Sequence, residues 1–168
     1  MTDGVLLTGV YGTGKTSVCE EMAERLEAAG VAYAAIDLDW LGWFDVPDRN
    51  ADALRRVAGA NLAAVAANYL DAGVRRLVLA GAVRSLNDLD DVRGAVGVPL
   101  RVVRLVVPID EIARRLSRDV TTGRQRDVAH ARRWLAQDIG ADVGDLVVAN
   151  DRSVDVIATR ILRWLRWI

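Results

Sequence analysis

A chain of 168 residues, 52% apolar and 27% charged, is long enough to bury one sizeable core and too evenly mixed to be disordered. Its net charge of −1 excludes a global electrostatic attraction to nucleic acid or to an anionic membrane. One cysteine, Cys19, excludes an internal disulfide, and no apolar run is long enough to span a bilayer.

The first apolar run begins at Val5 with no basic segment ahead of it, so no secretory signal is expected. The expectation is a cytoplasmic protein of one domain, a monomer or a homodimer, with no membrane partner.

Short β-rich runs alternate with longer helical patterns. "GVLLTG" (4–9) reads as a buried strand, and 14–29 as a helix with Val18, Met22, Ala23 and Leu26 on one face. "GVAYAAID" (30–37) reads as a second strand, opened where Gly30 stops the helix. After an aromatic stretch at 40–46, a long helix is expected from start signals at Pro47–Asp48 to a stop at Gly73. "RRLVLAG" (75–81) is a third strand, 85–94 a short helix and "LRVVRLVV" (100–107) a fourth strand. Residues 109–118 and 127–138 read as helices around the polar "SRDVTTGRQRD". "GDLVVAN" (144–150) is a fifth strand, and 153–167 an amphipathic closing helix. Five strands separated by helices imply parallel pairing with right-handed crossovers, hence a three-layer α/β/α sandwich.

Between the first strand and first helix, "GVYGTGKTS" places Gly9, Gly14, Lys15 and Thr16 in the pattern G-x-x-x-x-G-K-[ST], the Walker A motif of P-loop NTPases. Glycines there let backbone N–H groups converge on phosphate oxygens, and the helix start adds its positive dipole end. Tyr11, Gly12, Thr13 and Ser17 fall in the same nucleotide-binding loop, and Thr16 offers a hydroxyl to Mg²⁺. Lys15 is the one lysine among 22 basic residues. A compact ammonium on a thin stem fits a closed loop and reaches β/γ-phosphates, whereas a planar guanidinium fork does not.

The third strand carries no acid at its end. The carboxylates come after the second, in "IDLDW", where Asp37 and Asp39 can face the same way on extended backbone. One, taken as Asp37, would hold Mg²⁺ with Thr16, and the other, Asp39, would accept the proton of an attacking hydroxyl; the reverse division is equally compatible. The plainer alternative is that they end a strand or cap a helix.

The loop followed by "IDLDW" resembles the P-loop small-molecule kinases, above all the adenylyl-sulfate kinase and gluconate kinase group, whose second strand ends D-G-D. Shikimate kinase and chloramphenicol phosphotransferase are more distant. Leu38 stands where that group has glycine. The resemblance implies strand order 2-3-1-4-5, a nucleotide kinase-like fold, and transfer of the ATP γ-phosphoryl group to a small hydroxyl compound. It also implies a lid at about 117–128, where arginines would neutralise transition-state charge. Arg118 is the catalytic candidate there, and Arg115 and Arg124 the nucleotide-binding ones, an Arg-rich solvated helix end being the alternative. Asn150 and Arg152 fall where relatives cradle adenine, with Asp151 a cap for the last helix.

Arg84, past the third strand, is a candidate for an anionic part of the acceptor. Trp40, Trp43 and Phe44 would form a stacking wall for the acceptor or else lie in the core under the long helix. Asn61 and Asn68 are expected to face solvent. Cys19 is expected to be packed, His130 to lie on the surface, and the last helix to dock on the sheet. Two other functions stay open: a regulatory P-loop NTPase with no acceptor, and a polynucleotide end kinase.

Overall fold

The computed structural model describes residues 1–47, 50–117 and 124–168, the side chains of 124–126 excepted. The elements run β1 (Asp3–Thr8), α1 (Lys15–Ala28), β2 (Tyr33–Asp37), α2 (Leu38–Leu41), α3 (Ala51–Asp71), β3 (Arg76–Ala80), α4 (Leu86–Val96), β4 (Leu100–Val106), α5 (Ile109–Ser117), α6 (Arg124–Ala136), β5 (Leu146–Ala149) and α7 (Val154–Leu165). The sheet is parallel throughout, in the order β2-β3-β1-β4-β5.

Alternation along the strands builds two cores. Val5 and Leu7 of β1 point to one face, where α1 (Val18, Met22, Leu26) and α7 (Ile157, Ile161, Leu165) cover them. Leu6 points to the other, under Leu62 and Ala66 of α3 and Leu89 and Val96 of α4. A third cluster, with Ile112, Leu116 and Trp134, packs α5 and α6 beside the carboxyl edge of the sheet.

Several boundaries differ from the sequence reading, each for a local reason. Strand two begins at Tyr33 because α1 ends in a Schellman turn: Gly30, at φ +68°, lets Val31 N–H reach the Leu26 carbonyl at 2.9 Å. Gly73 repeats the device at the end of α3, with Val74 N–H bonded to the Tyr69 carbonyl. The long helix starts at Ala51, capped by Asn50 Oδ1 accepting from Ala53 N–H at 2.8 Å; of the expected start signals, Asp48 lies outside the described residues. Helix α6 begins three residues earlier than expected. Ser153, and not Asp151, occupies the N-cap position of α7. The last helix docks on the sheet as expected, and Trp167 and Trp164 lie over Arg76 and Arg101, both ion-paired with Asp3. Among the described residues no helix is long and apolar enough to cross a membrane.

Candidate functional site

Residues 9–15 turn the chain from the central strand β1 into α1. Gly9 lies at φ +142° and Gly14 at φ +87°, backbone that L side chains rarely adopt. A Cβ on Gly9 would come within 2.5 Å of the Leu105 carbonyl oxygen, and one on Gly14 within 2.6 Å of Asn150 Nδ2. The loop closes on itself through one acceptor. The Val10 carbonyl takes hydrogen bonds from Thr13 Oγ1 at 2.8 Å and from Lys15 Nζ at 3.2 Å. Thr13 and Lys15 are accordingly buried, Lys15 with only 8% of its surface exposed.

The ammonium of Lys15 lies 5.4 Å from the centre of the Tyr11 ring, and burial holds its pKa below the usual lysine range against the pull of Asp39 and Asp37. Asp37 ends β2 and does two things at once. Its Oδ2 accepts from Thr16 Oγ1 at 2.9 Å, while Oδ1 accepts from Asp39 N–H at 3.0 Å and so caps α2. The expected extended D-x-D is therefore a strand end followed by a helical turn: Asp39 is in the first turn of α2. Both carboxylates still face Lys15. Asp39 titrates above the usual aspartate range, chiefly because protein atoms crowd its carboxyl group, with Asp37 adding to the shift. Lys15 and a long 3.5 Å hydrogen bond from Tyr11 Oη oppose it.

Leu38 rests on Gly81, where a Cβ would come 2.7 Å from Leu38 Cδ1. The departure from D-G-D is thus matched by a glycine at the end of β3. Ser17 and Thr16 are exposed in the first turn of α1, and Gly12 packs on Ile112 and Leu116 of α5.

Beside the loop opens a cavity of about 530 Å³, lined by Tyr11 and Asp39, Leu54 and Leu62 of α3, and Arg84 and Asp88 beyond β3. Arg84 thus reaches the wall where it was expected, its guanidinium 5.2 Å from the centre of the Trp134 ring. Of the aromatics, the two tryptophans lie away from the core and from this cavity. Trp40 and Trp43, 68% and 74% exposed, stack on each other with ring centroids 4.9 Å apart, outside both the core and the cavity wall; Phe44 is half-buried. Asn61 and Asn68 are exposed, Asn61 donating to the Leu41 carbonyl.

Asn150 was expected toward adenine. It is 4% exposed, beneath the loop, donating to the Thr13 carbonyl at 2.7 Å. Arg115 lies against it, donating from Nη2 to the Asn150 carbonyl at 2.9 Å and from Nε to Glu111 at 2.8 Å. A Cβ on Gly14 would come 3.7 Å from Arg115 Nη1, so this guanidinium borders the phosphate loop. Arg152 is exposed past β5. Arg118 and the side chain of Arg124 lie outside the described residues, as do residues 118–123 of the expected lid, while 124–128 belong to α6. Cys19 is packed, its thiol pushed up to about 12 mainly by burial, and His130 is on the surface.

Residues that the sequence reading missed are the wall of the cavity. Leu54, Ala58 and Leu62 follow each other at intervals of four on α3, a signal visible in the sequence. Trp134 and Asp88 carried no such signal, being brought there by packing.

No protein-family model and no curated protein matches the sequence. Solved structures do. A sugar kinase from Janibacter sp. HTCC2649 superposes with a TM-score of 0.71 at 20% identity, covering 99% of this chain and 95% of its own. The chain shares the fold of the P-loop small-molecule kinases. A shikimate kinase from Bacteroides thetaiotaomicron gives 0.70 at 18% identity, covering 97% of this chain and 98% of its own. An APS kinase from Mycobacterium tuberculosis, in complex with AMPPNP and APS, gives 0.64 at 24% identity, covering 98% of each.

The loop fits a nucleotide's phosphates: glycines where side chains cannot go, a desolvated ammonium, and a helix N-terminus behind it. Thr16 and Asp37, already 2.9 Å apart, are a hydroxyl and a carboxylate suited to one Mg²⁺.

Proposed function

We propose that this protein is an ATP- and Mg²⁺-dependent phosphotransferase that moves the γ-phosphoryl group to a hydroxyl of a small molecule. One observation carries the reading: Lys15, enclosed by the phosphate loop, is faced by two carboxylates, and the outer one, Asp39, also borders a cavity of acceptor size. The structural neighbours named as kinases of a sugar, of shikimate and of APS support it.

Lys15 would bind the β- and γ-phosphates together with the loop N–H groups of residues 9–16. Thr16 and Asp37 would hold Mg²⁺, which when bound neutralises phosphate charge. Asp39 takes the proton from the acceptor hydroxyl. Its raised pKa makes the carboxylate a stronger base than that of an ordinary aspartate. Arg115 borders the loop, and Arg118 and Arg124 are proposed to add positive charge on the γ-phosphate side. Arg84 stands on the acceptor side. A regulatory protein with its cavity plugged by Trp40 or Trp43 gains no support, since neither ring lines the cavity.

The experiment is a screen of hydroxylated metabolites, nucleosides and antibiotics for ADP release, with calorimetry of ATP binding alongside. Asp39→Asn is expected to keep ATP binding while turnover falls about 100- to 10,000-fold, the worth of a general base. Full turnover in both Asp37→Asn and Asp39→Asn would overturn the reading.

A further inference from the structure

We infer that the acceptor is a neutral or cationic alcohol with an extended apolar body, rather than a compact, acid-bearing polyol. The inference rests on the phosphotransferase reading for the hydroxyl at Asp39, and on the cavity alone for everything beyond it.

Tyr11 and Asp39, hydrogen-bonded to each other, both line the cavity, so a reacting hydroxyl would lie beside them. From there it runs along α3, which presents Leu54, Ala58 and Leu62 on successive turns, with Leu41 and Val92 also aliphatic on the wall. Leu54, beside Gly42, is still 36% exposed, an apolar side chain with surface left to cover. The volume, about 530 Å³, falls in the range of pockets that enclose drug-sized ligands, about 300–1,000 Å³.

Gly59 supplies an independent observation. It lies in the interior of α3, where glycine is a poor helix former, and it lines the cavity. Packing does not require it: a Cβ there would find no atom within 4 Å, whereas one on Gly81 would clash with Leu38. The room left by the missing side chain belongs to the cavity, so a bulky ligand body can pass over the helix at this point.

Charge excludes the compact acids. Asp39, Asp88 and Asp91 outnumber Arg55 and Arg84 on the wall, and the Arg84 guanidinium is partly engaged by the Trp134 ring. A carboxylate-bearing polyol would meet three carboxylates on that wall and leave its aliphatic part uncovered.

The test reads binding without turnover, by saturation-transfer NMR on the intact protein with phenyl β-D-glucopyranoside and, separately, D-gluconate. Phenyl glucoside is expected to bind with its ring protons most strongly saturated, and gluconate to give no transfer at the same concentration. Gly59→Leu is expected to weaken phenyl glucoside at least tenfold while ATP binding by calorimetry is unchanged. Gly59→Ala is expected to raise the melting temperature by about 2–4 °C, which shows that folding does not need the glycine. Binding of gluconate alone, binding of neither compound, or unchanged phenyl glucoside binding in Gly59→Leu overturns the inference. Phenyl glucoside bound in a protein that yields ADP with no alcohol removes the phosphotransferase reading and leaves this one. ADP release with gluconate alone does the reverse.

Discussion

At position 11 a tyrosine occupies a loop built otherwise from small residues, and it touches both halves of the proposed chemistry. Its ring faces the Lys15 ammonium, and its hydroxyl donates to Asp39. That bond favours the ionised carboxylate, opposing the crowding that raises the Asp39 pKa. In Tyr11→Phe the pKa therefore rises further, and the acid limb of the kcat/KM profile moves to higher pH. The plateau falls by no more than about tenfold, because at 3.5 Å this hydrogen bond to the carboxylate is a weak one. An acid limb that stays in place shows that Tyr11 does not act on Asp39. The solitary lysine, the glycines and the acid pair were all legible in the sequence, because each answers to a local requirement of shape or charge. The part played by Asn150 was not. Its partner, the Thr13 carbonyl, is 137 positions away in the chain, and no local pattern announces such a pairing.

Elements meet at the phosphate loop more than their spacing suggests. The end of β5 reaches under the loop through Asn150, and α5 reaches it through Arg115, itself anchored on Glu111. Two arginines hold the Glu111 carboxyl down at about 2, so this anchor stays charged across the neutral range and is lost only in strong acid. Asn150→Ala leaves the buried Thr13 carbonyl without its partner, at a cost of about 1–3 kcal/mol. Urea unfolding should show that loss and calorimetry a weaker affinity for ATP. Unchanged values in both would mean that the loop holds its shape unaided. Element identity was legible from periodicity, but several boundaries were not. A Schellman turn took the first residues expected of the second strand, and Asp37, read as part of a flat acidic pair, bends the chain into α2.

In the whole molecule, the sheet is a partition with a different duty on each face. One face, under α1 and α7, is closed by Ile157, Ile161 and Leu165, none of which lines the acceptor cavity. The other, under α3 and α4, borders the acceptor cavity and gives up packing to do so. Ile161→Ala on the closed face should cost about 2–5 kcal/mol, read as a lower urea midpoint with unchanged slope, and should leave ATP affinity intact. A loss of ATP affinity at fixed stability would show that the two faces are coupled. The strand order was legible only through resemblance, since alternating strands and helices are compatible with several parallel orders.

The uniqueness of Lys15 has a practical side. Apart from the terminal amine, an amine-selective reagent that leaves a stable amide finds one amine among these 168 residues, and it is tucked inside the phosphate loop. Whatever covers or opens the loop must therefore alter the labelling of a single atom, which makes the protein its own gauge of occupancy.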